Sequence, residues 1–90
     1  MKLPKDYKIT NFPNPFNPVT KIYYTVPTAG KIKITVYNSL GQNIKDLVNS
    51  YKDQGVYIVE FDGSNFPSGI YYYTLLTENI RQTKKMVLVK

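Results

Sequence analysis

Six carboxylates, Asp6, Asp46, Asp53, Glu60, Asp62 and Glu78, are the acidic groups this chain could bring to catalysis or to a cation. A glycosidase needs two carboxyls facing each other across a cleft, at roughly 5–9.5 Å. These six fall in different turns and strands, mostly beside lysines, so the plainer reading is surface ion pairing. Histidine and cysteine are both absent. That removes the usual general base, the commonest metal ligand and all thiolate or disulfide chemistry. Serines and threonines are left without an evident activating base, and no phosphate loop is present. Asp62-Gly63-Ser64-Asn65 has one carboxylate where a dedicated calcium loop uses several charged oxygens, so it reads as a turn. No catalytic residue, metal ligand, cofactor or small-molecule substrate is indicated.

Tyr71, Tyr72 and Tyr73 could stack on sugars, but in a strand Tyr71 and Tyr73 share one face while Tyr72 takes the other. Packing is the simpler account. The net charge of +6 comes from dispersed lysines rather than from a basic aromatic ribbon. Solvated sheet faces explain it, an acidic partner is the alternative, and nucleic-acid reading is not expected. Lysines facing outward from strands also discourage edge-to-edge pairing.

Ninety residues make one domain, burying roughly 62–65% of the extended-chain surface on folding. No run approaches the roughly 18 apolar residues of a membrane span. Met1 to Lys5 has no apolar core of a signal peptide, so any export signal would come from another part of a longer protein.

The elements that must position these groups read as all-β. Asn11-Phe12-Pro13-Asn14-Pro15-Phe16-Asn17-Pro18 interleaves three prolines with three asparagines and two phenylalanines. Each proline fixes φ and lacks an N–H, so the block is extended or turn-like and lies outside the middle of a sheet. Asn14 and Asn17 are expected to bond back to nearby backbone, and Phe12 and Phe16 to plug into an apolar layer.

Period-two segments follow, with glycine and proline punctuation. Lys8 to Thr10 is a possible short first strand. Lys21 to Val26 places Ile22, Tyr24 and Val26 on one face. Lys31 to Asn38 places Ile32, Ile34 and Val36 inward. Asn43 to Val48 has the spacing of a bulged or irregular edge, with a helical turn as the alternative, and Asn49 to Gln54 reads as polar and flexible. Val56 to Asp62 puts Tyr57, Val59 and Phe61 on one side. Ile70 to Thr77 turns Tyr71, Tyr73 and Leu75 inward, and Thr83 to Val89 is the last strand. Six firm strands and a short one suggest an Ig-like antiparallel β-sandwich over residues 11–90. Residues 1–10 form a linker or short strand and a possible processing region.

In order and spacing these segments resemble the C-terminal sorting domains of proteins exported by the type IX secretion system. The resemblance rests on the Asn11–Pro18 block before Thr20-Lys21-Ile22-Tyr23-Tyr24, on Pro27-Thr28-Ala29-Gly30, and on Val36-Tyr37-Asn38-Ser39-Leu40-Gly41. Phe61-Asp62-Gly63, Pro67-Ser68-Gly69-Ile70-Tyr71-Tyr72 and Thr83-Lys84-Lys85-Met86-Val87-Leu88-Val89 complete it. Phe12 and Phe61 replace a tyrosine and a tryptophan often found there, a change of packing.

The resemblance implies an Ig-like sandwich at the C-terminal end of a larger cargo protein. The cargo would pass through periplasm and outer membrane, secreted or surface-held. A sortase-like peptidase would cut upstream of, or within, Met1–Thr10. It also implies that Pro13, Asn14, Pro15, Phe16, Asn17, Pro18, Gly41, Asp62, Gly63, Ser68, Gly69 and Tyr71 are structural motif positions. Lys84, Lys85, Met86, Val87, Leu88, Val89 and Lys90 would form the address read by the translocon, with unpaired backbone groups on an exposed last strand. The Ig-like domain of flagellar hook-capping proteins shares the proline-rich lead-in, so a structural assembly module or a carbohydrate-binding accessory module is the second reading.

Overall fold

The computed structural model describes residues 4–90. Met1 to Leu3, where part of the expected processing region falls, lie outside the described residues. Seven strands run in chain order: β1 Lys8–Phe12, β2 Val19–Val26, β3 Gly30–Asn38, β4 Asn43–Lys52, β5 Gly55–Asp62, β6 Gly69–Leu76 and β7 Arg81–Leu88. They form a three-stranded sheet, β1-β2-β5, and a four-stranded sheet, β4-β3-β6-β7. Every neighbouring pair is antiparallel. The fourth strand joins β3 rather than β5, unlike the constant-type Ig arrangement.

Alternation along the strands decides what fills the space between the sheets. Ile22, Tyr24 and Val26 of β2 and Phe61 of β5 meet Ile32, Ile34 and Val36 of β3, Tyr71, Tyr73 and Leu75 of β6, and Met86 and Leu88 of β7. All are buried, as their period-two spacing requires.

Three expectations are corrected. Phe12 is 70% exposed, because Ile9 and Asn11 take the inward positions of β1 and parity turns Phe12 outward opposite Lys21. Asn49 to Lys52 is strand: Gly30, Lys31, Ile32 and Lys33 pair with Lys52, Tyr51, Ser50 and Asn49. Polar residues suit it because β4 is an edge and mostly solvated. The first strand reaches Phe12, beyond the three residues expected.

The irregularity foreseen before Val48 is present, as register shifts between Ile34 and Thr35 and between Val36 and Tyr37. Gly41 closes the β3–β4 turn with φ +83, a value glycine adopts without cost, while the Asn38 carboxamide accepts from Leu40 and Gln42 N–H.

Candidate functional site

Two of the acidic side chains, Asp46 and Asp62, are held as strand and turn fixtures. Asp46 Oδ1 accepts from Thr35 Oγ1 at 2.9 Å and from Asn43 Nδ2 at 3.3 Å, and these bonds lower its pKa. Asp62 Oδ1 accepts from the Ser64 hydroxyl and N–H, which lowers its pKa too. Both bonds cap a turn, as expected of that segment. Among the described residues no three acidic, histidine or cysteine side chains gather as a metal site would need.

The sheet order leaves β7 at an edge, and the proline block lies along part of it. Phe16 N–H donates to Val87 C=O at 2.9 Å and Val89 N–H donates to Phe16 C=O at 2.9 Å, a short parallel bridge. Asn14 adds two bonds, its Nδ2 to Lys85 C=O at 3.2 Å and its Oδ1 from Val87 N–H at 3.0 Å. Asn14 therefore reaches across the molecule, not back to its own neighbourhood as expected.

Because Val87 turns both backbone groups to the block, Arg81, Thr83 and Lys85 must also turn theirs away from β6. The edge is thus divided. From Lys85 C=O to Val89 it is closed by Asn14 and Phe16, which confines the unpaired backbone groups expected of the last strand to its first half. From Arg81 to the Lys85 N–H it has no backbone partner among the described residues.

Where the block ends, distant segments converge. Gly63 N–H donates to Pro18 C=O at 2.7 Å. A Cβ on Gly63 would stand 2.9 Å from Leu88 Cδ2, 3.1 Å from Pro18 O and 3.3 Å from Phe16 Cε2, so glycine eases the close approach of these chains. Phe16 meets Phe61 edge-on at 5.9 Å between ring centroids. Phe61 stacks on Phe66 at 5.8 Å, and Phe66 meets Tyr71 edge-on at 6.3 Å.

Tyr71 OH donates to Pro67 C=O at 2.6 Å, the tyrosine corner of Ig-like sandwiches, and burial raises its pKa. Ser68 Oγ accepts from Lys90 N–H, and Lys90 Nζ donates to Ser64 and Phe66 carbonyls at 2.6 and 3.0 Å. Gly69 then opens β6.

Most motif residues named from the sequence therefore meet at one end of the sandwich. Gly41 stands apart in its turn, and Pro15 and Asn17 are exposed. Of the last strand, Met86 and Leu88 are core, Lys84, Lys85 and Val89 are exposed, and Val87 is half-buried.

One network escaped the sequence reading. Tyr73 OH donates to Asn11 Oδ1 at 2.9 Å, Asn11 Nδ2 donates to Thr20 Oγ1 at 3.2 Å, and Thr20 Oγ1 donates to Pro13 C=O at 2.9 Å. All three side chains are buried, and burial pushes the Tyr73 phenol up to about 12. Asn11 sharing the inward parity of Ile9 was the available signal.

Residues 10–90 match the model of the Por secretion tail, described as a secretion system C-terminal sorting domain. The chain belongs to this family of type IX sorting domains. The matched span takes in every segment of the junction, from the proline block to Lys90. Among curated proteins none matches the chain. A sorting domain of this family marks a protein for secretion or display at the cell surface. No helix among the described residues is long and apolar enough to cross a membrane.

Proposed function

We propose that this sorting domain is a non-enzymatic, folded address that takes a larger cargo through the type IX translocon and is then cut away by a sortase-like peptidase. The observation that carries this reading is the junction that fixes the C-terminal strand. Asn14 and Phe16 of the proline block, and Gly63 and Ser68 of the β5–β6 connection, all bear on residues 85–90. A docking protein would meet the exposed ammonium groups of Lys84 and Lys85 and the open edge from Arg81 to Lys85, where strand addition and charge act together. Met86 and Leu88 hold that surface in place from beneath.

The cut lies before Lys8. Beyond that point β1 pairs with β2 and Ile9 is buried, whereas Lys5 and Asp6 are exposed and outside any strand. A reporter fused ahead of the chain in a type IX-competent bacterium tests the whole reading by cell fractionation. Deleting Lys84–Lys90 should leave the reporter in the periplasm. So should Lys84→Glu with Lys85→Glu, which spares the core. Normal export of both variants would overturn the proposal.

A further inference from the structure

The outer face of the four-stranded sheet is organised in rows that cross all its strands. Register sets Asn49, Lys33, Leu76 and Arg81 side by side in one row, and Asn43, Tyr37, Tyr72 and Lys85 in another. Between them run Asp46, Thr35, Thr74 and Thr83. Thr35 and Thr74 point away from the core, yet they are only 3% and 4% exposed, because the longer side chains on both sides overtop them. The result is a shallow trough over β3, β6 and β7, with a hollow of about 220 Å³ lined by Tyr37, Gly41, Tyr72, Thr74, Arg81 and Thr83. A second hollow, of about 420 Å³, continues the same face beside Lys31, Lys33 and Leu76.

Three kinds of group meet in this trough. Its floor is hydroxyl: Thr74 and Thr83 share a bond at 3.2 Å, and the exposed Thr83 is the one a ligand can reach. One wall is aromatic, from Tyr37 and Tyr72. Its β7 end is cationic, from Arg81 and Lys85, while the carboxylate of Asp46 sits at the β4 end. An anionic group therefore has one favoured end.

We propose that this trough binds a short acidic oligosaccharide, with sugar rings against Tyr37 and Tyr72, a ring hydroxyl on Thr83 and a carboxylate or sulfate on Arg81. Sugars suit an aromatic wall beside small polar groups, and the guanidinium fork suits a planar carboxylate. An acidic peptide is served less well. The face of a sheet presents no row of free backbone N–H and C=O groups, which an extended peptide needs. Over β3, β6 and β7 the trough is about 10 Å long, more than a single ring needs. The inference does not rest on the sorting reading, and either can fail alone.

Titration of the 90-residue chain with tetragalacturonate tests it, followed by amide chemical shifts and by calorimetry, with cellotetraose as the neutral control. Saturable shifts should centre on Tyr37, Tyr72, Thr74, Arg81 and Thr83, and cellotetraose should bind more weakly. Arg81→Gln should weaken binding about tenfold, the scale of one charge-assisted hydrogen bond. Lys21→Gln, the same loss of charge on the other sheet, should change it by about twofold at most. Equal weakening by both substitutions would reduce the effect to diffuse charge and overturn the proposal. Absence of saturable binding, or tighter binding of hexaglutamate in the same trough, would overturn it as well.

Discussion

The Asn14 side chain pairs with the Val87 backbone as a neighbouring strand would. Its Oδ1 accepts from Val87 N–H while its Nδ2 donates to Lys85 C=O, so one carboxamide satisfies two groups of an edge strand. Phe16 continues the same pairing with its backbone. The front of the domain thereby holds its end, and integrity of the last strand depends on residues some seventy positions earlier.

Asn14→Ala removes both bonds at a solvent-accessible edge, where water replaces them in part. We expect a loss of about 1–2 kcal/mol in urea unfolding. Hydrogen exchange at the Val87 amide should rise by a larger factor than at Met86, whose backbone is paired to β6. Unchanged protection at Val87 would refute the clip.

Gly63→Ala places a methyl group against Leu88 Cδ2 and Pro18 O at 2.9 and 3.1 Å. The leucine end can shift, but the Pro18 carbonyl belongs to backbone already bonded to Gly63 N–H. A cost of about 1–3 kcal/mol is expected, with chemical-shift changes spreading to Phe16 and Leu88. Alanine of wild-type stability would mean that the junction is looser than described.

Phe16→Ala empties the centre of the same junction. Phe16 is 2% exposed and lies edge-on to Phe61, with Leu88 nearby across Gly63. Truncating a buried phenylalanine costs about 3–5 kcal/mol, a large share of what a domain of this size commands. Phe12→Ala, on an exposed ring four residues earlier, should cost far less. A thermal melt of the two variants separates them directly.

That contrast also marks how far the sequence could be read. Both phenylalanines looked like anchors, since the proline block shows no periodicity to assign a face. Only the register of β1, set by Ile9 and Asn11, decides that Phe12 turns outward. The inward faces of β2, β3 and β6 were legible because Ile22, Ile32, Ile34, Tyr73 and their neighbours alternate cleanly. The polar half of β4 was not, because an edge strand with solvent on most sides has no apolar alternation to reveal it. The junction needed three dimensions: Asn14, Gly63 and Lys90 share no local pattern, and only folding brings them together.

The buried phenol of Tyr73 gives the fold an alkaline limit. In an unfolded chain a tyrosine titrates near 10, but burial holds Tyr73 protonated up to about 12. Between those values the unfolded chain releases a proton that the folded chain keeps, so stability is intact below about pH 10 and falls as pH rises. The slope from this group is at most about 1.4 kcal/mol per pH unit. Tyr24 and Tyr71, also raised by burial, act in the same direction. Tyr73→Phe removes the titration but leaves Asn11 Oδ1 without its donor, a cost of about 1–3 kcal/mol at neutral pH. Urea midpoints from about pH 8 to about pH 11 should therefore fall steeply for the native chain and less steeply for the variant, which starts lower. Parallel curves would show that the Tyr73 hydroxyl is not held between the sheets as described.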